Sequence, residues 1–247
     1  MRLRRLYLAA PLARGARLAL EPSAAGHLVR VLRMQAGDPL AVFDGLGREH
    51  HATVAQANGK RVEIEVGEAL EPVREAPLAI TLAQGVARGE RMDFAIQKAT
   101  ELGVARIVPL LTQRSVVKLD ARQAAARLEH WRGIAIGACE QCGRATLPAI
   151  EPPRPLDEHL AAVPRAPGAS LRLVLVPGAG AGPAALGRPA GPLELLVGPE
   201  GGLEDGETEL ALRQGYRALS LGPRILRTET AGIAAIAALQ ALYGDLG

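Results

Sequence analysis

Aromatic residues are scarce in this chain of 247 residues, which has two Phe, one Trp and three Tyr. Leu, Val, Ile and Ala must therefore fill the core, and the 48% hydrophobic content is enough for that. The charged content of 22% is ordinary for a globular protein and argues against disorder. A chain of this length forms one large domain or a small domain beside a larger one, and we expect two.

Long apolar runs are also missing. The most apolar stretch, 231–239, is nine residues long, whereas a membrane-spanning helix needs about 20. No apolar segment of a secretory signal opens the chain, which favours the cytoplasm. An Arg-rich start is typical of organelle transit peptides too, but those are rich in Ser, and this one has only Ser23.

Cysteine is almost absent, and the two that occur, Cys139 and Cys142, form one C-x-x-C motif. Such a motif is half of a zinc site or a redox pair. The remaining zinc ligands would have to come from His130 or His159, which lack the usual doublet spacing. The motif lies inside a helix-like stretch and not after a strand, so we favour two small buried thiols and expect no metal.

Acidic residues are rare in the first 33 positions, where seven arginines face only Glu21. This stretch carries +6 and the rest of the chain −3, for a net charge of +3. The plain interpretation is a solvated surface; the functional one is a surface that contacts phosphate. Nucleic acid is therefore a candidate partner, through Arg2, Arg4, Arg5, Arg14, Arg17, Arg30 and Arg33.

The first seventy residues are predicted to form strands and one short helix. Asp44-Gly45 and Asn58-Gly59 are hairpin turn signals, and 62–66 (VEIEV) alternates as a half-buried strand does. We predict a small β-barrel or sandwich. Prolines 72 and 77 bracket a charged, extended stretch that marks a boundary, which gives two domains, 1–72 and 73–247.

Beyond the boundary, strand and helix patterns alternate, which predicts a parallel α/β domain. Strands are expected at 77–84, 106–111, 171–176, 193–197 and 217–221. Helices are expected at 88–103, 120–142, 155–162, 204–215 and at the C-terminal end. In this last helix Gln240 is the only polar residue between Ala231 and Leu242, so it must be covered on all sides. Either a second subunit covers it, which predicts a homodimer, or it is a core helix of a monomer.

Three glycine-rich segments each follow a predicted strand: 176–183 (VPGAGAGP), 197–202 (VGPEGG) and 221–228 (LGPRILRT). The first begins like a dinucleotide-binding motif, but Pro183 stands at its last glycine position and no crossover helix fits before the next strand. None has the G-K-[ST] of a P-loop. Glycine-rich backbone at the carboxyl ends of strands suits a small ligand with an adenine edge.

Five motifs carry a resemblance: RGERMDFAIQKATELGV, TQRSVV, EQCGR, LLVGPEGGLEDGE and LGPRILRTETA. In this order and spacing the chain resembles the family of bacterial small-subunit rRNA uridine-N3 methyltransferases usually called RsmE, of the SPOUT superfamily. The resemblance implies an N-terminal PUA-like RNA-binding β-barrel and a C-terminal parallel α/β domain with a trefoil knot. It also implies S-adenosyl-L-methionine as cofactor, 16S rRNA in the small ribosomal subunit as substrate, and a homodimer built from packed knots.

By the same resemblance, the knot loops hold the cofactor mainly through backbone. These residues are Leu175, Val176, Pro177, Gly178, Val197, Gly198, Pro199, Glu200, Gly201, Gly202, Leu221, Gly222, Ile225, Leu226, Arg227, Thr230 and Ala231. The predicted RNA-contacting set gains Arg88, Lys98 and Arg144. Two positions depart from the family pattern: Arg88 stands where a lysine is usual, and cysteines flank Glu140-Gln141 in place of small residues.

Uridine N3 carries a proton at neutral pH, and this proton must be removed when the nitrogen is methylated. A carboxylate is a weak base for an imide, so Glu200 or Glu229 is doubtful as a simple base unless its pKa is raised. Arginine cannot accept a proton, but it can hydrogen-bond the uracil oxygens as charge develops. The candidate catalytic residues are Arg227, Arg114 and Glu200. The plainer alternative for Arg114 is a structural network with Glu101, Gln141 and Arg144.

Two other functions remain open from the residues alone. One is a non-catalytic RNA-binding or ribosome-assembly factor that uses the basic N-terminus without any methyl donor. The other is a knotted methyltransferase that acts on tRNA or on a ribose hydroxyl. The chain itself offers no base-reading residue that separates these substrates.

Overall fold

The computed structural model of the chain describes residues 3–58, 61–71, 75–117, 119–162 and 170–247. These residues form two compact units. The first unit comprises residues 1–75 together with 136–147, and the second comprises 76–135 together with 148–247. Each unit has its own sheet and its own buried apolar cluster.

The first unit contains a five-stranded sheet in the order β1-β3-β4-β5-β2. Its strands are β1 (Arg4–Tyr7), β2 (Arg17–Ala19), β3 (Pro39–Phe43), β4 (Glu49–Asn58) and β5 (Arg61–Leu70). β1 and β3 are parallel, and the other pairs are antiparallel. A short helix, α1 (Pro22–Gly26), continues into a π-helical turn, His27–Val31. The predicted alternation is confirmed, since Val62, Ile64 and Val66 are buried between more exposed glutamates.

Both predicted hairpins form, although the details differ. Asn58 pairs with Arg61 across β4 and β5, and the turn residues between them lie outside the described residues. The predicted two-residue turn at Asp44-Gly45 is wrong, because five residues separate β3 from β4. Asp44 Oδ1 accepts hydrogen bonds from the backbone N–H groups of Leu46 and Arg48, at 2.8 and 3.1 Å, which stabilises this wider loop. Strand β2 is three residues long and was not predicted.

The second unit is the predicted parallel α/β domain. Its elements are β6 (Ile80–Gly85), α2 (Glu90–Glu101), β7 (Arg106–Leu111), α3 (Ala121–Cys142, which ends in the first unit), β8 (Ala149–Ile150), β9 (Arg154–Pro155), α4 (Leu156–Ala162), β10 (Leu171–Leu175), β11 (Leu193–Val197), α5 (Asp205–Arg213), β12 (Arg217–Leu219) and α6 (Thr228–Tyr243). The sheet order is β12-β10-β11-β6-β7-β8, and β9 also pairs with β7. All of these pairs are parallel. The two-residue strands β8 and β9 were not predicted.

Between β10 and β11 the structure has a three-residue 3-10 turn, Pro183–Ala185, and no longer helix among the described residues of that segment. This agrees with the exclusion of a dinucleotide-binding crossover. The last helix, α6, buries one face, which includes Ala235, Ile236 and Leu239. Its other face is only partly covered by the same chain, and Leu242 is 46% exposed.

Candidate active site

The three glycine-rich loops lie together at one edge of the parallel sheet. β10 lies between β11 and β12, so the loops that leave their carboxyl ends meet there. They surround a cavity of about 860 Å³. A cavity of this size accommodates a cofactor or a drug-sized ligand.

Most of the cavity wall is backbone and aliphatic side chain from these loops. The lining residues are Arg91, Arg114, Leu175–Pro177, Val197–Leu203, Asp205, Thr208, Glu209, Leu219, Leu221, Gly222, Arg224–Glu229 and Ala231. Ile225 is 85% exposed, which is unusual for an aliphatic side chain beside a cavity. The site therefore offers apolar surface and main-chain hydrogen-bonding groups on most sides, with charged side chains at a few points.

The loop after β11 approaches the end of β6 closely. A Cβ atom added at Gly85 would lie 2.5 Å from the backbone nitrogen of Pro199, and one at Gly198 would lie 2.7 Å from that of Leu203. Neither distance is compatible with a side chain. Glycine at both positions is therefore required for this loop conformation.

A buried polar network connects three segments beside the cavity. Gln84, only 1% exposed, donates from Nε2 to Thr228 Oγ1 at 2.8 Å and to the carbonyl of Gly85 at 3.1 Å. The Thr228 hydroxyl donates to the carbonyl of Gly198. Neither side chain was predicted from the sequence to belong to the site. A polar residue at the end of an otherwise buried strand was the signal that could have identified Gln84.

Three charged side chains meet at the cavity. Arg91 Nη1 lies 2.9 Å from Glu200 Oε1, and Arg91 Nε lies 4.0 Å from Glu229 Oε1. Burial by itself would raise the pKa of Glu200. Hydrogen bonds from the backbone N–H groups of Arg88 and of Glu200 itself, together with the Arg91 guanidinium, outweigh burial and leave the pKa of Glu200 below its ordinary value. Glu200 is therefore a carboxylate with poor basicity.

The two arginines predicted to be catalytic both line the cavity but have different environments. Arg114 Nη1 donates to the carbonyl of Gly201 at 3.0 Å and lies 3.4 Å from that of Leu203, so its guanidinium holds the loop after β11. Arg227 precedes α6 and is exposed. Its guanidinium forms no hydrogen bond or ion pair with any residue in the described ranges.

Two families of known proteins match most of this chain. A family model described as an RNA methyltransferase domain matches residues 74–240, and a model described as an RNA methyltransferase PUA domain matches residues 20–67. The ribosomal RNA small subunit methyltransferase E of Buchnera aphidicola subsp. Schizaphis graminum is 34% identical over 93% of this chain and 92% of its own length. The chain belongs to the ribosomal RNA small subunit methyltransferase E family.

Solved structures agree with membership of this family. A candidate methyltransferase from Legionella pneumophila, in complex with S-adenosylmethionine, is 41% identical with a TM-score of 0.94 and covers 100% of both chains. A ribosomal RNA small subunit methyltransferase E from Neisseria gonorrhoeae, bound to S-adenosyl methionine, is 38% identical with a TM-score of 0.91. It covers 99% of this chain and 100% of its own. The fold is therefore the mixed α/β fold of this family with an N-terminal PUA-like domain.

Most residues that the family resemblance assigned to cofactor binding line the cavity. Gly178 and Thr230 are the exceptions among the predicted set. Both belong to segments next to the cavity wall, but neither contributes surface to it. Conversely, the wall also contains residues outside that set: Arg91, Arg114, Leu203, Asp205, Thr208, Glu209, Leu219, Arg224, Thr228 and Glu229.

Two predicted RNA-contacting arginines are buried in the first unit. The Arg5 side chain is 5% exposed, pairs with Glu49 at 2.8 Å and lies over the ring of Phe43. It also donates to the carbonyls of Cys139 and Arg144. The Arg144 side chain is 9% exposed and pairs with Glu75 at 2.8 Å. These guanidinium groups brace the unit and are not free to contact phosphate, so we withdraw Arg5 and Arg144 from that set.

The remaining predicted RNA-contacting residues are accessible, except that Arg2 lies outside the described residues. Arg14 and Arg17 form exposed ion pairs with Glu68 and Glu65, and Lys98 is half-buried and pairs with Glu101. The exposed members are Arg4, Arg14, Arg17, Arg30, Arg33 and Arg88. Exposed ion pairs contribute little to stability, so these side chains can exchange partners for phosphate.

The C-x-x-C motif ends α3 as two free thiols, with Cys139 buried and Cys142 half-buried. Within the described ranges, no group of three His, Cys, Asp or Glu side chains is placed to hold a metal ion. In the same ranges, the helices are too short or too polar to cross a membrane.

Proposed function

We propose that this chain transfers the methyl group of S-adenosyl-L-methionine to N3 of one specific uridine of 16S rRNA in the small ribosomal subunit. Family membership over nearly the whole chain is the observation that carries the proposal. The cavity at the carboxyl edge of β10, β11 and β12 supports it, because it provides a ligand site formed by the motifs on which the resemblance rests.

The residues around the cavity fit this cofactor. Leu175, Val197, Leu221 and Ile225 offer apolar surface for an adenine ring, and the adjacent glycine-rich backbone can approach its edge. We propose that the cofactor-binding set predicted from the family resemblance, extended by Thr208 and Thr228, holds it. When bound, the cofactor supplies a methyl group on a positively charged sulfur. The chain supplies position and electrostatics, which contribute several kcal/mol when the reacting atoms are held at roughly 3 to 3.5 Å.

The candidate catalytic residues divide their roles in this proposal. Arg227, whose guanidinium has no partner among the described residues, hydrogen-bonds a uracil oxygen as negative charge develops there. Arg114 keeps the loop after β11 in place through the carbonyl of Gly201. Glu200 holds Arg91 at the cavity. In this proposal none of these three residues accepts the N3 proton.

We further propose that the substrate RNA binds through arginines of the N-terminal PUA-like domain, together with Arg88 and Lys98 of the methyltransferase domain. Domain bounds of 1–72 and 73–247 remain a prediction. The candidate contacts are Arg2, Arg4, Arg14, Arg17, Arg30, Arg33, Arg88 and Lys98. Non-specific phosphate contacts of this kind make binding strongly salt-dependent.

We also propose a homodimer, a trefoil knot and a place in the cytoplasm. The half-covered apolar face of α6 supports a homodimer in which a second copy covers it. The family resemblance supports a trefoil knot formed by the cavity loops. A substrate in the small ribosomal subunit supports a place in the cytoplasm. Size measurement in solution tests the first of these, with a monomer as the result that contradicts it.

The function itself is tested by incubating the purified protein with unmethylated small ribosomal subunits and labelled S-adenosyl-L-methionine. The expected product is N3-methyluridine in digested 16S rRNA. Methyl transfer to tRNA or to a ribose hydroxyl would replace this function with the related methyltransferase one. Subunit binding without affinity for the methyl donor, measured by calorimetry, would favour a non-catalytic assembly factor.

A further inference from the structure

Glu229 belongs to the wall of the cavity, and one of its carboxylate oxygens lacks a hydrogen-bond donor among the described residues. Its Oε1 lies 4.0 Å from Arg91 Nε, while Oε2 is buried and accepts no hydrogen bond from any residue that the structure describes. The side chain is only 12% exposed. A buried carboxylate oxygen without a donor costs free energy, so it is expected to find a partner when the site is filled.

Glu229 lies at the N-terminal end of a helix. It belongs to the first turn of α6, where the helix dipole favours negative charge. A carboxylate oxygen accepts hydrogen bonds, so the missing partner is a donor such as an N–H group. This requirement excludes a carbonyl oxygen or an unprotonated ring nitrogen as the partner of this carboxylate.

Arg91 provides a donor beside this acceptor. One guanidinium N–H group is directed to Glu200 at 2.9 Å, and Glu200 is itself held by the backbone N–H of Arg88 at 2.8 Å. A guanidinium has five N–H groups, so Arg91 retains donors after this bond. Because Arg91 and Glu229 both line the cavity, a fixed donor and a fixed acceptor lie next to each other there.

We propose that Glu229 and Arg91 bind the imide edge of the target uracil. Glu229 accepts the hydrogen bond from N3–H, and Arg91 donates to a neighbouring carbonyl oxygen. The inference rests on the proposed function and assigns recognition of the methylated base to two residues. Cytosine carries an unprotonated N3 beside an amino group, so the same pair repels it and selects uracil.

The same contact provides a path for the N3 proton. The N3–carbon bond forms as the carbon–sulfur bond breaks, the N3–H electron pair stays on nitrogen, and the proton passes to the Glu229 carboxylate. The products are the neutral methylated base, a neutral thioether and a protonated carboxyl group. The imide becomes more acidic only as the new bond forms, so a carboxylate that is too weak to deprotonate free uridine is sufficient at that stage.

The first test compares Glu229→Gln and Arg91→Lys with Glu129→Gln, a matched control on α3 whose side chain is 71% exposed. Single-turnover methyl transfer into unmethylated small subunits should fall by about 10²- to 10³-fold in Glu229→Gln. Affinity for S-adenosyl-L-methionine, measured by calorimetry, should stay within about twofold of wild type. Full activity of Glu229→Gln would overturn the proposal.

A pH series separates a role in proton transfer from a structural role. The charged groups that face Glu229 are Arg91 from α2 and, through it, Glu200. As pH rises from about 6 to about 9, solvent increasingly removes the N3 proton, so the ratio of wild-type to Glu229→Gln rates should shrink. A constant ratio would overturn the inference.

If Glu229→Gln does not fold, Glu229→Asp replaces it, because it keeps the acceptor and should show a smaller loss. A Glu229→Asp variant that is as fast as wild type would contradict the assignment. So would one that, at pH values where the imide is protonated, is as slow as a variant with no carboxylate. A wild-type protein that fails to methylate uridine N3 would instead overturn the proposed function.

Discussion

Gln84 donates a hydrogen bond to the hydroxyl of Thr228 at 2.8 Å, and this single contact joins the end of β6 to the start of α6. The Thr228 hydroxyl in turn donates a hydrogen bond to the carbonyl of Gly198 in the loop after β11. Three segments that are distant in the chain thus share one buried polar network. Because every member is buried or half-buried, the loss of one donor leaves others unsatisfied.

Gln84→Ala should lower the free energy of unfolding by about 1 to 3 kcal/mol, the usual cost of a lost buried hydrogen bond. It should also weaken binding of S-adenosyl-L-methionine, since the loop after β11 loses its anchor. Urea unfolding and calorimetry measure the two effects. Gln97→Ala, at an exposed position of α2, is the control; equal effects of the two variants would show that the network does not hold the loop.

Gly85→Ala should damage the cavity through contact between backbones. The added Cβ would lie 2.5 Å from the nitrogen of Pro199, so the loop must move. We expect a loss of cofactor affinity of about tenfold, which corresponds to the lower end of the 1 to 3 kcal/mol that overpacking costs. Gly182→Ala is the control, because its φ is −73° and the added atom meets open space. An unchanged affinity in Gly85→Ala would contradict the assignment of this loop.

Glu194 on β11 should contribute stability that depends on pH. His159 contacts its Oε1 at 2.7 Å, and the Tyr216 hydroxyl donates to the same oxygen. Burial by itself would raise the pKa of Glu194. These hydrogen bonds and the His159 charge outweigh burial, so the pKa lies below the ordinary value of 4.5. The unfolded chain therefore binds the proton of Glu194 more readily than the folded protein does. The contribution of Glu194 to the free energy of unfolding is complete above about pH 4.5, and it is lost as the pH falls through the folded-state pKa.

Urea unfolding of Glu194→Gln measures this contribution. The variant should be less stable than wild type by about 1 to 3 kcal/mol near pH 7, and this difference should decrease near pH 3. Glu129→Gln, at an exposed position, should show no such dependence. A difference that grows on acidification would have the wrong sign for a lowered pKa.

Cys142 should be the reactive member of the C-x-x-C motif. The neighbouring Cys139 thiol lowers the pKa of Cys142 most, against the effect of burial, and the backbone N–H of Arg144 lowers it further, to about 6. The pKa of Cys139 is raised by the same contact and by burial. Iodoacetamide should therefore alkylate Cys142 at neutral pH and leave Cys139 unmodified, as peptide mass mapping would show.

The partner variant tests the cause of this reactivity. In Cys139→Ala the neighbouring thiol is gone, so the pH midpoint for alkylation of Cys142 should rise towards the ordinary thiol value of 9.0. Equal midpoints in the two proteins would show that Cys139 does not activate its neighbour. A wild-type midpoint near the ordinary value would contradict the lowered pKa itself.

The spacing of apolar residues and the positions of turn-forming residues predicted the long helices and strands well. The strands at 80–85, 106–111 and 193–197 and the helices α2 and α6 lie where local patterns place them. The misses are short: β2, β8 and β9 have two or three residues, too few for any period to be visible. The wider loop after Phe43 depends on hydrogen bonds to Asp44 that turn propensities do not describe.

Side-chain accessibility could not be predicted from the chain. Arg5 and Arg30 lie in the same basic segment, and nothing in the local sequence distinguishes them. Arg5 is nevertheless buried against Glu49 and Phe43, whereas Arg30 is exposed. The pairing of Arg91 with Glu200 and Glu229 joins residues more than a hundred positions apart. Such contacts depend on how the sheet orders its strands, and that order is not a local property.

By itself, the sequence determined the parallel α/β pattern, the three glycine-rich loops and, through five motifs, the family resemblance. These are properties of short segments, whose backbone preferences and apolar spacing act over one element at a time. Only the tertiary structure decided which charged groups surround the cavity and which of their atoms lack partners. Burial and hydrogen-bond geometry arise when distant segments pack together, and that packing is what separates Glu229, with its unsatisfied oxygen, from Glu200, which is already held by Arg88 and Arg91.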